Sequence, residues 1–165
     1  MNNFTISRTF DAPRSLVFKC WVVPEHFEKW GLAPAGCKCR LLHADVRPGG
    51  YYIIQQEGPS DNPICSKVEF QQINPIDQLV FVVSLCDAKG EVITNPFFPD
   101  WPRRLLTTVD FEDDGSGTKV TVLWDLLEDA TAVEVAFFMK NLEIGQQGWS
   151  ETFDRLQKTI DGVEP

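Results

Sequence analysis

The side chains from Cys37 to Leu126 alternate between apolar and polar along most of their length, and helical spacing takes over from Thr131 to Ile160. Alternation with a period of two is typical of antiparallel strands that bury one face and leave the other wet. Turn-forming residues divide the alternating part into about six strands. The last segment predicts one helix of about 30 residues. Its apolar stripe consists of Trp149, Phe153, Leu156 and Ile160.

The start of the chain adds one more strand and two short helices. Phe4, Ile6, Arg8 and Phe10 alternate with polar residues and predict the first strand. Pro13 and Pro24 then precede apolar residues at helical spacing, and proline suits the first turn of a helix. The order of strand, two helices, six strands and a long helix predicts a single α+β domain over residues 1–165, because the last helix must bury its stripe against the sheet.

Composition excludes several classes of function. The 165 residues carry 15 Lys and Arg against 24 Asp and Glu, a formal net charge of -9. A surface this acidic repels phosphates, so the sequence predicts neither a nucleic-acid partner nor a membrane partner. No apolar run approaches the roughly 20 residues of a membrane span, and the first residues lack the pattern of a secretion signal. We therefore expect a cytoplasmic protein.

The cysteines agree with a reducing compartment. The chain has 5 of them, an odd and scattered set that makes a poor disulfide framework. Cys37, Cys39 and His43 share one face of a predicted strand and raise the idea of a metal site. A structural zinc site needs four ligands in paired short spacings, and the second pair is missing. The prediction is buried, reduced cysteine with no metal, and the absence of a Gly-rich phosphate loop predicts no cofactor.

His43 and Asp45 are the best candidates for catalytic residues. Both follow Leu41 on the predicted inward face, where burial can shift a pKa towards neutrality for general acid or base work. The alternative for His43 is a strand-end histidine bonded to backbone, and the alternative for Asp45 and Arg47 is a local role in the turn between them. Arg8, a cation on an apolar face, has either an ion-pair partner or a ligand's acid group to neutralise it.

A larger set of residues is predicted to line a cavity between sheet and helix, because aromatic side chains supply much area with few rotamers. The set is Arg8, Trp21, Trp30, Tyr52, Phe81, Trp124, Phe138, Leu142 and Trp149. Gly145 and Gly148 interrupt the last helix, which indicates either close helix-to-sheet packing or space for a ligand. The aromatic segment from Asn95 to Pro102 is either a lid or an ordinary packed loop.

Three parts of the chain carry a family resemblance. They are the first third, with Phe10-Asp11-Ala12-Pro13, Trp21, Pro24-Glu25-His26 and Trp30; the turn Asp45-Val46-Arg47-Pro48-Gly49-Gly50; and Gly148-Trp149 with Phe153 to Leu156. Together they resemble the START-like (SRPBCC, Bet v 1-like helix-grip) superfamily, and more narrowly its branch homologous to the activator of heat-shock protein 90 ATPase. The resemblance implies a seven-stranded antiparallel sheet wrapped around a long C-terminal helix. It also implies an apolar cavity, which in relatives holds lipids, polyketides, hormones or other hydrophobic molecules.

The resemblance does not imply one reaction, because relatives include carriers, cyclases and co-chaperones. We expect a protein that binds a hydrophobic small molecule such as a lipid, a polyketide or an aromatic compound. A cyclase or hydrolase that uses a cavity His, Asp or Tyr is the first alternative. A chaperone ATPase-activator-like interaction module is the second, although we expect a lone domain without the second, amino-terminal domain of the eukaryotic co-chaperones. Sheet edges and exposed aromatic residues are also compatible with a homodimer.

Overall fold

The computed structural model describes residues 3–31, 38–57 and 64–163, and within them the predicted α+β helix-grip architecture is confirmed. Four helices and seven strands lie in these residues. Their order is β1 (Asn3–Phe10), α1 (Arg14–Val22), α2 (Pro24–Trp30), β2 (Lys38–Ala44), β3 (Tyr51–Glu57), β4 (Ile64–Asn74), β5 (Gln78–Cys86), β6 (Arg104–Asp114), β7 (Gly117–Leu126), α3 (Ala132–Lys140) and α4 (Leu142–Asp161).

The seven strands form one antiparallel sheet in the order β1-β7-β6-β5-β4-β3-β2. Strands β2 to β7 follow one another as a meander, and β1 pairs with β7, so β1 and β2 are the edges. The tightest connection joins β6 to β7, where Asp114 pairs with Gly117 and Gly115 has a φ of 62°. A two-residue hairpin loop needs positive φ at its centre, which glycine supplies without strain.

The C-terminal helix is shorter than predicted. In place of one helix from Thr131 to Ile160, α3 ends at Lys140 and α4 begins at Leu142. Asn141 between them has φ -125° and ψ 40°, and its side-chain amide donates to the Phe137 carbonyl over 2.8 Å. A side chain that bonds locally to the backbone competes with helical hydrogen bonds, so the helix breaks at Asn141 and not at either glycine.

Helix α4 lies across β1, α1 and α2 and closes the hydrophobic core. Its buried side chains include Trp149, Phe153, Leu156 and Ile160, the predicted stripe. The ring of Phe153 meets the ring of Phe10 edge to face at 5.6 Å. Both side chains are fully buried, so this half of the space between helix and sheet is filled.

Three cysteines behave as small hydrophobic residues, as predicted. Cys20, Cys65 and Cys86 are buried free thiols. Burial raises the pKa of Cys20 to about 11 and that of Cys86 to about 12. Cys39 is half-buried, and its Sγ donates to the Gly31 carbonyl at 2.8 Å. Cys37 lies outside the described residues.

The turn between β2 and β3 depends on two glycines. The carbonyl of Gly50 accepts the backbone N–H of Phe70 at 3.0 Å, and the N–H of Gly49 donates to the Phe70 carbonyl at 2.9 Å. Arg47 Nε lies 2.9 Å from an Asp45 carboxylate oxygen, which is the local role considered for this pair. A Cβ on Gly50 would lie 2.1 Å from the Asp45 carbonyl oxygen, whereas Gly49 has room but a φ of 86°.

Alanine should therefore destabilise the protein by different amounts at these two positions. We expect Gly49→Ala to lower the free energy of unfolding by about 1 kcal/mol, because only the left-handed backbone is disfavoured. Gly50→Ala should lower it by about 3 kcal/mol, because a backbone clash must be relieved as well. Urea denaturation of the two variants measures both values. Equal losses would contradict the steric argument for Gly50.

A capping box at the start of α3 also holds the segment that precedes β6. The Thr131 hydroxyl accepts the N–H of Glu134, and the Glu134 carboxylate accepts the N–H of Thr131 at 3.2 Å and that of Arg103 at 2.7 Å. Burial alone would raise the pKa of the Glu134 carboxyl, but these backbone donors outweigh it and hold the pKa below its usual range. The carboxylate is therefore the form that joins α3 to Arg103.

Replacement of this carboxylate should have a pH-dependent effect. Because the folded-state pKa is lowered, the stabilisation is present above the ordinary glutamate pKa and is lost as the pH falls through the folded-state value. Glu134→Gln should cost about 1 kcal/mol near neutral pH, and its difference from the parent should shrink with acidification. Urea titrations from about pH 7 to about pH 3 measure the difference.

Glu143→Gln is the matched control for this prediction, since Glu143 also lies in the first turn of a helix and is exposed. It should change stability by less than about 0.5 kcal/mol at either end of the pH range. A Glu134→Gln cost that stays constant on acidification would mean that the carboxylate charge does not contribute.

Candidate ligand-binding site

The space between sheet and α4 is filled at one end and open at the other. A cavity of about 310 Å³, partly open to solvent, lies between the N-terminal half of α4 and one end of strands β3 to β7. The segment before β6 forms its third wall. The residues that line it are Gln56, Ser66, Val83, Ser84, Leu85, Asn95, Phe98, Trp101, Pro102, Arg103, Leu105, Trp124, Ile144, Gly145, Gly148, Trp149, Glu151 and Thr152.

The two glycines of α4 have different roles at this cavity. A Cβ on Gly145 would lie 3.0 Å from Cζ3 of Trp124, so this position permits close packing of helix on sheet. A Cβ on Gly148 would meet no atom within 4 Å, and the residue is exposed. Gly148 therefore lies where the cavity opens. Close helix-to-sheet packing is therefore found at Gly145, while space for a ligand at Gly148 stays a prediction.

The segment from Asn95 to Pro102 is a packed wall of the cavity. The Asn95 side chain accepts the backbone N–H groups of Phe97 and Phe98 at 2.9 and 3.0 Å, which shapes the turn. The Trp101 ring packs on Trp124 at 5.9 Å and on Phe138 at 5.6 Å. Phe97, by contrast, is 74% exposed. The aromatic residues of this segment therefore include one that packs on the core, Trp101, and one on the surface, Phe97.

The five tryptophans of the chain form one continuous row of ring contacts. Trp30 meets Trp21 at 4.6 Å, and Trp21 stacks on Trp149 at 6.2 Å with an interplanar angle of 23°. Trp149 then meets Trp124, and Trp124 meets Trp101, each at 5.9 Å. The row begins in the filled core at α1 and α2 and ends in the cavity wall.

Of the predicted cavity residues, Trp124 and Trp149 line the cavity. Trp21, Trp30 and Phe81 are buried in the filled part of the core, behind Trp149. Alternation along a strand identifies the inward face correctly here, but it does not say which stretch of that face meets side chains and which meets empty space.

Phe138, Leu142 and Tyr52 also lie outside the described lining. Phe138 is buried behind Trp101, and Leu142 packs on the same core. The Tyr52 hydroxyl donates to the Trp21 carbonyl at 3.1 Å, and the ring stacks on Phe27 at 4.4 Å. Burial raises the pKa of Tyr52 well above its usual range. A hydroxyl that is buried, bonded and kept neutral has a structural role.

Arg8 has a protein partner. Its guanidinium lies 2.6 Å from Asp154, donates to the Ser150 carbonyl at 3.3 Å and sits over the Phe153 ring at 5.4 Å. All three partners belong to α4. Arg8 was expected to be neutralised either by an ion-pair partner or by a ligand's acid group. The structure has the ion pair, which joins β1 to α4 outside the cavity lining.

The predicted inward orientation of His43 is wrong. Leu41 pairs with Ile54 but His43 pairs with Ile53, so a bulge inserts one residue between them. A shift of one residue moves the following side chains to the opposite face of a sheet. His43 is consequently exposed and stacks on Tyr51 at 4.3 Å, and the His43–Asp45 pair is not in the cavity.

Sequence reasoning missed the polar part of the lining. Gln56 follows Tyr52 and Ile54 on the same inward face, and Ser66 is the register partner of Ile54. The sequence does indicate this in one way: a polar residue, Gln56, stands on the same strand face as buried residues, near the end of the strand. The indication is weak, because polar residues are also common where a strand leaves the core.

The chemistry of the lining is mostly apolar. The ionisable side chains among the described lining residues are Arg103 and Glu151, and His, Cys, Tyr and Asp are not among them. In the part of the chain that the structure describes, no three His, Cys, Asp or Glu side chains are grouped to hold a metal ion. The helices of those residues include none with the length and hydropathy to cross a bilayer.

Solved structures share this fold over nearly the whole chain. Protein CV1439 from Chromobacterium violaceum superposes with a TM-score of 0.71 at 19% identity, covering 100% of this chain and 99% of that one. A protein from Staphylococcus epidermidis gives 0.77 at 21% identity, with 99% and 93% covered. Protein Ms6760 from Mycobacterium smegmatis gives 0.75 at 19%, with 99% and 93% covered. Identities this low support the fold alone.

A comparison with curated proteins found no match. One family model matches residues 11–161, and its description is Activator of Hsp90 ATPase homolog 1-like protein. This match includes all three parts of the sequence that carry the resemblance, from Asp11 onward. Because it spans nearly all of the 165 residues, the chain belongs to the Activator of Hsp90 ATPase homolog 1-like family.

Proposed function

We propose that this protein binds a small hydrophobic molecule in the cavity between the sheet and the N-terminal half of α4. The observation that supports the proposal is the unfilled space of about 310 Å³ beside a core whose other half is closely packed. Ligand pockets typically measure about 300–1,000 Å³ and have mostly apolar walls with a few polar groups. This cavity is at the lower end of that range, which favours a ligand of one or two rings.

The aromatic walls supply the affinity. Trp101, Trp124 and Trp149 present large, rigid faces whose contact with water is unfavourable. A flat apolar ligand removes that surface from water without a large loss of side-chain freedom, because ring contacts already hold the three side chains in place. Ligand binding should therefore raise the Tm of the protein.

An enzymatic role of the cyclase or hydrolase type has less support. General acid or base catalysis requires a titratable group within hydrogen-bond reach of the reacting atoms. His43 is exposed on the other face of the sheet, and Tyr52 donates to the Trp21 carbonyl outside the cavity. The ionisable side chains of the described lining are Glu151 and Arg103, so a single carboxylate is available there for proton transfer. The lining therefore supports binding better than a reaction that needs a paired acid and base.

A chaperone-directed interaction is the second candidate. The family description refers to activation of a chaperone ATPase. On this chain, Phe97 is 74% exposed and Phe98 is 40% exposed at the cavity wall, and exposed aromatic residues suit a protein partner. Stimulation of a heat-shock protein 90 ATPase by the purified protein, and its loss in Phe97→Ser, would support this role. An unchanged ATPase rate would remove it.

Native mass spectrometry of the protein purified from its host tests the main proposal. We expect an adduct that is released on denaturation and whose mass and retention correspond to a hydrophobic small molecule. The proposal would fail if the protein leaves its host empty and a panel of one- and two-ring aromatic compounds also leaves its Tm unchanged.

Gly148→Leu should block binding without unfolding the protein. The side chain would enter open space at the mouth of the cavity, and leucine favours a helix over glycine by about 0.8 kcal/mol. We expect the free energy of unfolding to be equal or higher while the adduct is lost. Gly148→Ala is the matched control, because it has a similar helix preference but leaves the mouth open. Retention of the adduct by the leucine variant would place the ligand elsewhere.

A further inference from the structure

Helix α3 is apolar on every side, yet little of it is buried. Its sequence from Ala132 to Lys140 contains two charged residues, Glu134 and Lys140, and otherwise Ala, Val, Phe and Met. A helix that is apolar all round is normally surrounded by protein. In α3 the buried side chain is Phe138, and Val133 is 58% exposed. The exposed side of α3 therefore lacks the cover that its composition predicts.

The exposed residues of α3 include one stripe along the helix. Val133, Ala136 and Lys140 are exposed and follow one another at intervals of three and four residues, which places them on one side of a helix. Phe137 is half-buried, and its ring packs on that of Phe98 at 6.2 Å. Phe98 is itself 40% exposed. The stripe, Phe137 and Phe98 form one apolar surface, which we call the α3 surface.

Exposed large apolar side chains concentrate around the α3 surface. In the part of the chain that the structure describes, they are Leu42, Ile76, Val92, Phe97, Phe98 and Val133. All but Leu42 and Ile76 belong to α3 or to the segment from Val92 to Phe98, which packs on it. Val92 also borders a small cavity together with Glu134. Single exposed apolar residues are normal, whereas a contiguous patch marks an interaction site.

The charge of the α3 surface indicates what covers it. Residues 92–99 have no charged side chain, and α3 has one of each sign, whereas the whole chain has a formal net charge of -9. Two copies that meet elsewhere bring acidic surfaces together, but at the α3 surface they meet without that repulsion. A basic partner would be drawn to the acidic remainder of the molecule instead. The neutral patch therefore fits a second copy of this chain.

We infer that the protein forms a two-fold dimer in which α3 of each chain packs antiparallel on α3 of the other. A two-fold axis pairs the same surface of both copies and is the commonest symmetry of homo-oligomers. Ala136 is small and lies near the middle of the exposed stripe, so two helices can approach closely there. Antiparallel packing also brings Lys140 of each chain towards the N-terminal end of the other α3, where Glu128 and Asp129 are exposed.

The size of the surface sets the strength of this dimer. Helix α3 has 9 residues and is therefore about 14 Å long. Phe97 and Phe98 extend the surface on one side. A stable interface buries about 800 Å² on each partner, and one short helix with a loop beside it is at the low end of that scale. We expect a dimer that dissociates on dilution.

Analytical ultracentrifugation of the full chain tests the inference. We expect the sedimentation coefficient to rise from the monomer value towards the dimer value between about 1 µM and about 500 µM protein, because a small interface gives a weak dimer. A chain that stays monomeric over this range would overturn the inference. The proposed function would still stand, because the cavity lies within one chain.

Charged variants at the centre of the stripe locate the contact. Ala136→Arg and Ala136→Glu each place like charges near one another across the two-fold axis, so each variant alone should stay monomeric. An equimolar mixture of the two pairs opposite charges, and association should return. Both new side chains suit an exposed helical position, so the Tm should stay close to that of the parent. A mixture that remains monomeric, or a single variant that dimerises like the parent, would overturn the assignment to α3.

Leu42→Arg is the matched control for these variants. Leu42 is 37% exposed at the bulge of β2, and β2 is an edge of the sheet, which is the alternative place for two copies to pair. The variant adds a charge to an exposed apolar position on another element and should leave association unchanged. Loss of the dimer in Leu42→Arg with its retention in Ala136→Arg would place the contact at the sheet edge and overturn the inference.

Hydrogen exchange on the unmutated protein covers the case in which a variant does not fold. Backbone amides of residues 132–140 should exchange more slowly at about 500 µM than at about 1 µM protein, because the dimer covers α3 at the higher concentration. The amides of β2 should exchange equally at both concentrations. Protection that appears in β2 and not in α3 would contradict the inference.

Discussion

The row of five tryptophan rings is the interaction on which the rest of this structure depends. It runs from Trp30 and Trp21 on the two short helices, through Trp149 on α4 and Trp124 on β7, to Trp101 in the segment before β6. Each of the four contacts joins a different pair of elements. Removal of one ring would therefore take away a packing contact between two elements, and the two contacts made by Trp149 fix where α4 lies over the sheet.

The same row divides the interior into a filled and an open half. Towards α1 and α2, Phe10, Phe153 and their neighbours close the space between helix and sheet. Towards the N-terminus of α4, Gly145 brings the helix onto Trp124, and Gly148 has no neighbour within reach of a Cβ. The open half lies beside Gly148, which has no side chain, and the helix is interrupted nearby at Asn141.

The kind of ligand that the open half could bind depends on the side chains that line it. Sequence patterns placed Arg8 and Tyr52 near the ligand, but both have protein partners outside the cavity: Arg8 pairs with the exposed Asp154, and the buried Tyr52 hydroxyl donates to the Trp21 carbonyl. The wall of the open half consists mainly of apolar and aromatic side chains, and its ionisable members in the described lining are Arg103 and Glu151. Such a lining supports the proposed binding of an apolar ligand.

The sequence by itself determined the α+β class, the strand order along the chain, the apolar stripe of α4 and the turn at Gly49 and Gly50, because these depend on local periodicity and backbone preference. It also marked Gly148 and the segment from Asn95 to Pro102 as unusual. Only the tertiary structure decided that a bulge turns His43 outward and that the cavity lies at one end of the sheet. Register and the volume left between packed elements are set by contacts between residues distant in sequence, which alternation along one strand does not contain.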